Sequence, residues 1–422
     1  MRAEIIKLPK SEIELKIEVP AEEWQEFLDG AAKELSKDLK IEGFRPGYAP
    51  LKLVEEKIGM AKILEEAAEH CIQKCYVKAV LENNIEAIGQ PEVSILKLAK
   101  NNPFEFKAKV AIMPEVKLPD YKKIALEAKR NKVLVEEKEI EETLSWIRKS
   151  RARFSQKSGL SQKGDWIEIE YSSSQIENGK KTDDAFILGE GRLISGFEEN
   201  LEGMEGGQEK EFFLTFPENH LQKDLAGKEL NFKVKLKSVQ KVELPEINDD
   251  FAKEVGNFKN MAELKNSVKE GISTEKETAE FQRVRQDILE KITEKSEIEA
   301  PEILVSNVKN QILVDLKQNI SQKLGITFEE YLDKVNKTEK DLLDSFSAEA
   351  EKRVKNSLVL REISKKEKID VSKEEVEAEA NKILKSYPGN QKIDVEKLKD
   401  YTKEVIMNEK TFQFLESFVK KL

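Results

Sequence analysis

The sequence predicts a multidomain α+β protein: an N-terminal α+β domain, a middle antiparallel β domain with one short helix, and an extended all-α C-terminal region. Three observations carry this reading. At 422 residues the chain is too long for one core and implies two to four domains. Strand-type alternation occurs in two separate blocks, one ending before Met113 and one starting at Trp166. From Leu244 onward, glycine stands only at Gly256, Gly271, Gly325 and Gly389 and proline only at Pro245, Pro301 and Pro388, which leaves long stretches free of helix breakers.

Taken in order, Ile13, Leu15, Ile17 and Val19 alternate with polar residues as a half-buried strand that Pro20 closes. Trp24, Phe27, Leu28, Ala31, Leu35 and Leu39 then recur at three- and four-residue steps, the stripe of a helix that should stop near Gly43. Pro50 suits a first helical turn, and Leu51, Val54 and Ile58 share a face up to Gly59. A third helix is expected from about Lys62 to Leu81, followed by strands at Val93 to Leu98 and at Phe104, Phe106, Ala108, Val110 and Ile112. These segments make a compact domain with three antiparallel strands, ending near Met113-Pro114. Cys71 and Cys75 stand four apart on the third helix and read as buried thiols rather than metal ligands, since His70 points elsewhere and His220 is distant in sequence.

Tyr121 to Phe154 reads as a charged helical arm with a sparse stripe of Ile140, Leu144 and Ile147. A polar hinge at Gly159 to Gly164 precedes the alternation of Trp166 to Tyr171. Between Gly189 and Met204 one short amphipathic helix lies between glycine turns, and strands follow at Lys210 to Phe216 and Leu230 to Val239. Gly189 and Gly191 lack the third glycine and the second βα unit of a dinucleotide site, and no phosphate-binding loop occurs elsewhere, so no cofactor is expected. In the helical region, capping signals stand at Thr327 with Glu330, Thr338 with Asp341 and Ser372 with Glu375. Pro301 opens a helix whose stripe is Ile303, Leu304, Val308, Ile312, Leu316 and Ile320. Such stripes are narrow for the helix lengths and show neither heptads nor a fixed repeat.

The chain is 36% charged and 39% hydrophobic, a balance that suits a globular protein with long solvated helices. A net charge of −10 argues against wholesale nucleic-acid binding. Around residues 33 to 62, however, Lys33, Lys37, Lys40, Arg45, Lys52, Lys57 and Lys62 outnumber the acidic side chains, which allows a local contact with RNA. Met1 to Lys10 lacks the apolar run of a secretory signal and no stretch approaches the ~18 apolar residues of a membrane span, so a cytoplasmic protein is expected.

The loop from Ile41 to Pro50 is richer than a turn requires. Its glycines and prolines account for the reversal, but turn chemistry asks for neither Phe44 nor Arg45. Read locally, Phe44 either tucks back onto the helix pair or is held out for a partner. The run Gly43-Phe44-Arg45-Pro46-Gly47, followed by Pro50, resembles the ribosome-docking signature of the trigger factor family, bacterial chaperones that sit at the nascent-chain tunnel exit. The family usually has Lys or another residue where Pro46 stands. The resemblance implies that Gly43, Phe44, Arg45, Pro46 and Gly47 contact the large ribosomal subunit near the tunnel exit, through ribosomal protein and RNA. Nascent and unfolded polypeptides would be the clients, with no DNA or membrane partner and with room for a homodimer away from the ribosome. It further implies that the middle domain is an insertion. Residues 1–115 would then form the ribosome-binding domain, 116–158 a linker and arm packing with the C-terminal region, 159–243 the inserted domain and 244–422 the helical client-binding domain.

Asp165 to Lys241 is similar to the FKBP-type prolyl isomerases in its order of strand, glycine turn, one-turn helix and Phe-Pro-containing return. That family encloses the proline ring in an aromatic basin and acts by desolvating and twisting the prolyl amide. The resemblance assigns Tyr171 to the first strand, Leu193 and Ile194 to the basin edge, Phe197 to its floor, Phe232 to the last strand, and His220 to a place where the family usually has Tyr. It also exposes a gap. Ser172 to Asp184 contains no aromatic, which predicts an incomplete wall and weak isomerisation unless Ile176 or Phe186 closes it. Two functional readings follow: an ATP-independent, ribosome-associated chaperone with an isomerase domain, or a cytoplasmic isomerase whose helical region recruits folded partners. A helical adaptor would explain only the last third of the chain.

Overall fold

The computed structural model describes all residues except 40–43, 46–47, 49, 177–178, 219–224, 387–393 and 420–422. Gly43, Pro46, Gly47 and His220 therefore lie outside the described residues. The described chain forms two compact units, one of Met1–Asn131 with Phe281–Leu422 and one of Lys132–Glu280.

At the start of the first unit lies a four-stranded antiparallel sheet of β1 (Arg2–Leu8), β2 (Glu12–Val19), β3 (Ala87–Lys97) and β4 (Phe104–Ile112), in the order β1-β2-β4-β3. The alternation of β2 and β4 puts Leu15, Ile17, Phe104 and Phe106 wholly inside, against Trp24, Leu28 and Ala31 of α1 (Ala21–Leu35) and Ile63, Ala67 and Cys71 of α3 (Met60–Glu82). Trp24 stacks on Phe104 at 4.5 Å between centroids and donates its indole N–H to the Ala99 carbonyl. On the opposite face of the sheet, Lys107 pairs with Glu14 and Lys109 with Glu12. Cys71 and Cys75 are both buried, with Sγ atoms 3.7 Å apart.

Two features of this domain differ from the sequence expectation. The sheet has a fourth strand, β1, which was illegible because it is an edge strand with mostly exposed side chains and no alternation. Helix α1 stops at Leu35 rather than near Gly43. A 3-10 turn at Ser36–Asp38 follows, with the Ser36 hydroxyl donating back to the Lys33 carbonyl. Helix α2 (Leu51–Ile58) begins directly after Pro50, as the proline predicts.

The remainder of this unit is helical. Helix α4 (Tyr121–Glu127) buries Tyr121, Ile124 and Ala125 against Val284, Ile288 and Ile292 of α8 (Met261–Glu294). Helix α12 (Ser347–Lys366) and helix α14 (Val395–Glu416) complete that core with Val359, Ile363 and Leu415. Between α8 and α12 run α9 (Glu302–Asn319), a π-helical turn at Ile320–Leu324, α10 (Phe328–Val335) and α11 (Glu339–Ser345), and α13 (Lys373–Ser386) lies between α12 and α14. Reciprocal side-chain and backbone hydrogen bonds form at all three expected caps: Thr327 with Glu330, Thr338 with Asp341, and Ser372 with Glu375. The expected stripe of α9 is only half-buried, and Leu313 is the buried residue of that helix. No helix among the described residues is long and apolar enough to cross a membrane.

The second unit holds a five-stranded antiparallel sheet of β5 (Arg153–Gln156), β6 (Trp166–Ser172), β7 (Thr182–Ile187), β8 (Glu209–Thr215) and β9 (Glu229–Glu243), with one short helix, α6 (Phe197–Leu201). The strand order is β5-β9-β6-β7, and β8 lies on β9. Arg153–Gln156 is a strand on the end of β9 where the sequence suggested the tail of a helical arm. The arm helix itself, α5 (Glu137–Ser150), packs Ile140 and Leu144 on Phe251 and Ala252 of α7 (Asp249–Val255) and on Leu264 of α8.

Candidate active site and the exposed loop

In the second unit, a cavity of about 390 Å³ opens on the concave side of the sheet. Five of the six isomerase-type residues expected from sequence line it: Tyr171 on β6, Leu193 and Ile194 on the turn before α6, Phe197 on α6 and Phe232 on β9. Phe197 is the centre of the arrangement. Its ring is edge-on to Tyr171 at 5.7 Å, to Phe232 at 5.3 Å and to Phe212 at 5.2 Å, and it is only 2% exposed.

The strand pattern explains why these side chains converge. Tyr171 continues the inward set of Ile167 and Ile169 on β6, and Phe232 belongs to the inward set of Leu230, Val234 and Leu236 on β9. Helix α6 starts at Gly196, which sits at φ +89°, and a Cβ there would fall 2.8 Å from the Leu214 side chain. Glycine is thus required at the point where the chain turns Phe197 into the basin.

Sequence reasoning missed part of the lining. Phe216, at the end of β8, and Leu225 both face the cavity, and Phe216 stacks on Phe232 at 6.2 Å. Phe216 belongs to the Phe-Pro-containing return of the FKBP resemblance, and its aromatic is the signal that could have found it. The wall expected to be missing is filled by Ile176, whereas Phe186 is buried in the core. Ser172, Ser173, Lys180 and Thr182 make the same side of the cavity polar. Asp184, expected near a lost aromatic, instead pairs with Arg192 at 3.0 Å.

The turn bearing Leu193 and Ile194 is gathered around one buried carboxylate. Glu198 Oε2 accepts from the backbone N–H groups of Gly189 (2.7 Å) and Gly191 (3.2 Å), and Oε1 from those of Arg192 (2.6 Å) and Leu193 (3.1 Å). Burial pushes this carboxyl up, but the four backbone donors outweigh it and hold it below the ordinary glutamate value.

On the first unit, the described part of the Ile41 to Pro50 loop presents Phe44 and Tyr48, 42% and 66% exposed. The Arg45 guanidinium lies 5.9 Å and the Lys33 ammonium 5.8 Å from the Tyr48 ring centroid. The Tyr48 N–H donates to the Arg45 carbonyl at 3.0 Å. Phe44 is thus held out rather than folded onto the helices. A larger cleft of about 700 Å³ in this unit is charged, with Lys7, Glu86, Lys117 and Arg361 on its walls and no aromatic. Among the described residues, no three His, Cys, Asp or Glu side chains are grouped to hold a metal ion.

An antiparallel sheet wrapped on one short helix, with an aromatic floor and an apolar edge, defines an FKBP-type domain, and the FKBP-type peptidyl-prolyl cis-trans isomerase family model matches residues 158–237. The chain is thereby classed with the peptidyl-prolyl isomerases, and this domain sits between parts of a larger protein. Residues 1–147 match the model of the bacterial trigger factor protein (TF), and residues 260–416 match that of its C-terminus. The trigger factor of Caldicellulosiruptor saccharolyticus is 36% identical over 413 residues, covering 95% of this chain and 93% of the relative. Those of Carboxydothermus hydrogenoformans and Halothermothrix orenii are 35% and 33% identical, each with at least 90% of both chains covered. A solved structure of the trigger factor chaperone, described in terms of promiscuous substrate recognition in folding and assembly, shares the fold at a TM-score of 0.52 and 22% identity over 99% of both chains. The chain belongs to the trigger factor family.

Proposed function

We propose that this chain is a ribosome-associated, ATP-independent chaperone of the cytoplasm, which holds nascent polypeptides at the tunnel exit and assists their folding, with slow prolyl isomerisation from its FKBP-type domain. The observation that carries the reading is the outward Phe44-Arg45 apex, flanked by Tyr48 and Lys33, on a chain related to trigger factors over nearly its whole length. An exposed aromatic beside two cations suits a mixed surface of protein and RNA phosphate. Residues 1–115 are assigned to docking, with Gly43, Phe44, Arg45, Pro46 and Gly47 as the contact, 116–158 to the linker and arm, 159–243 to isomerisation and 244–422 to client binding. The helical part supports that role with single apolar side chains left outside, among them Val314, Leu324, Tyr401 and Val405.

For the isomerase, Tyr171, Leu193, Ile194, Phe197 and Phe232 enclose the prolyl ring, and His220 is assigned to the same site. The barrier of ~20 kcal/mol is lowered by removing water from the amide and favouring its twisted form. The polar side at Ser172, Ser173 and Thr182 admits water, which supports a low rate.

Cosedimentation with ribosomes tests the docking assignment. Replacing Phe44, Arg45 and Pro46 together by Ala should abolish pelleting with the large subunit while leaving the circular dichroism spectrum unchanged. Parent-like pelleting of the triple variant at matched salt would remove the docking assignment, because phosphate contacts are the part most sensitive to salt.

A further inference from the structure

We infer that Glu198 is a positioning residue for prolyl isomerisation: its carboxylate holds the turn from Gly189 to Leu193 in the one shape that presents Leu193 and Ile194 to the basin opposite Phe197. The inference rests on the isomerase reading of this cavity and adds to it a group that does not touch the substrate.

The geometry separates Glu198 from an ordinary core residue. Its side chain is 6% exposed, and each oxygen accepts two backbone N–H groups of the same turn, from Gly189 and Gly191 on one side and from Arg192 and Leu193 on the other. A buried carboxylate with its acceptor sites filled by fixed donors is a rigid anchor, and leaving those donors unmet inside the protein is costly. Gly189 and Gly191 take φ of +93° and +71°, so the turn departs from ordinary backbone at the start and in the middle of the anchored stretch.

Sequence adjacency gives the anchor its consequence. Glu198 directly follows Phe197, so the same short helix sets the basin floor with one side chain and holds the basin edge with the next. Floor and edge are thereby fixed relative to each other. A second tie acts on the same turn from outside: Arg192 pairs with Asp184 at 3.0 Å and donates to the Ala185 carbonyl at 3.1 Å, both on β7. Catalysis by enclosure depends on that spacing, since a lining that yields when the amide twists lets water follow it.

The test compares Glu198→Gln with the parent in the full chain, using a protease-coupled assay on a Phe-Pro peptide together with residue-resolved amide hydrogen exchange. An amide side chain accepts at one oxygen only and turns a donor toward the other pair of N–H groups. The expected result is a drop in kcat/KM of at least about tenfold, carried by kcat, with faster exchange at Gly189, Gly191, Arg192 and Leu193 and unchanged protection at Phe232 and Leu236. A kcat/KM within about twofold of the parent, with those amides deprotected, overturns the inference. Should Glu198→Gln lose protection throughout the domain, Arg192→Ala decides. It loosens the same turn from a solvent-exposed position, and the inference requires a lower kcat with the sheet amides still protected, while a parent rate with the turn deprotected overturns it. A parent chain with no measurable isomerisation removes the isomerase reading and this inference together, whereas an active parent with unaffected variants removes the inference alone.

Discussion

Phe197 is a core residue and a basin residue at once, because it is nearly buried against Phe212 inside the domain and also lines the cavity. Truncating it removes a nearly buried ring from between three aromatic neighbours. Phe197→Ala should therefore destabilise the domain by about 3–5 kcal/mol, read from urea unfolding followed by tyrosine and tryptophan fluorescence. In the parent, the polar side of the basin predicts a kcat/KM on a Phe-Pro peptide below the ~10⁴ M⁻¹s⁻¹ lower end of ordinary enzymes, and Phe197→Ala should abolish it. A parent value well inside the ordinary range would show that Ile176 and Leu225 exclude water as well as an aromatic wall does. Legibility at this scale followed ring chemistry. Tyr171, Phe197 and Phe232 were readable because the resemblance to the FKBP-type isomerases assigns aromatics to those places, while Leu225 looks like any other aliphatic residue until the basin forms around it.

At the scale of elements, the helical part of the first unit is tied by a charge cluster as well as by its core. Arg285 on α8 donates from Nε to Glu416 at 2.6 Å and from Nη1 to Glu409 at 2.8 Å, both on α14, and its guanidinium lies 5.3 Å from the Phe412 ring. The hydrogen bond from Arg285 holds the Glu409 carboxyl below its ordinary value. Stability from a depressed carboxyl is fully present above its unfolded pKa and is lost as pH falls through the folded one. Arg285→Met should cost about 2 kcal/mol at pH 7, less than for a fully buried pair because solvent reaches Glu409. The gap to the parent should narrow below about pH 4, where the abandoned Glu409 carboxylate takes up a proton. Thermal unfolding at both pH values checks this, and a gap that stayed constant would place the effect in lost packing of the arginine stem. No spacing rule in the sequence connects residue 285 with residue 416. The capping boxes were readable because Thr327 and Glu330 are three residues apart and depend on nothing else.

For the whole molecule, the separation of chaperone and isomerase roles is itself testable. Trp166 pairs with Gln240 in adjacent antiparallel strands, so the two ends of Asp165 to Lys241 leave the domain side by side, about 5 Å apart. Removing that segment with a short linker leaves the pairing of Arg153 with Glu243 and of Phe154 with Val242 available to close the cut. The shortened chain should still slow the aggregation of an unfolded client, as followed by light scattering, with helix content retained. Loss of that activity in a protein that keeps its helices would move the client surface into the isomerase domain.

The periods of two and of 3.6, the breakers and the caps are local quantities, and from them the sequence alone determined the three-part architecture, the strands β2, β3, β4, β6, β8 and β9, and the breaker-rich loop that carries Phe44 and Arg45. Among the edge strands β3 and β8 were legible, whereas β1, β5 and β7 escaped it. β1 and β5 gain their structure from hydrogen bonds to a neighbouring strand rather than from a buried face, so nothing in their own pattern announces them. Only the tertiary structure decided that Phe44 points outward, that Ile176 fills the basin wall and that Asp184 pairs with Arg192. Each of these depends on which distant side chains occupy the same space, and burial and pairing across long sequence separations leave no periodic trace in the residues that take part.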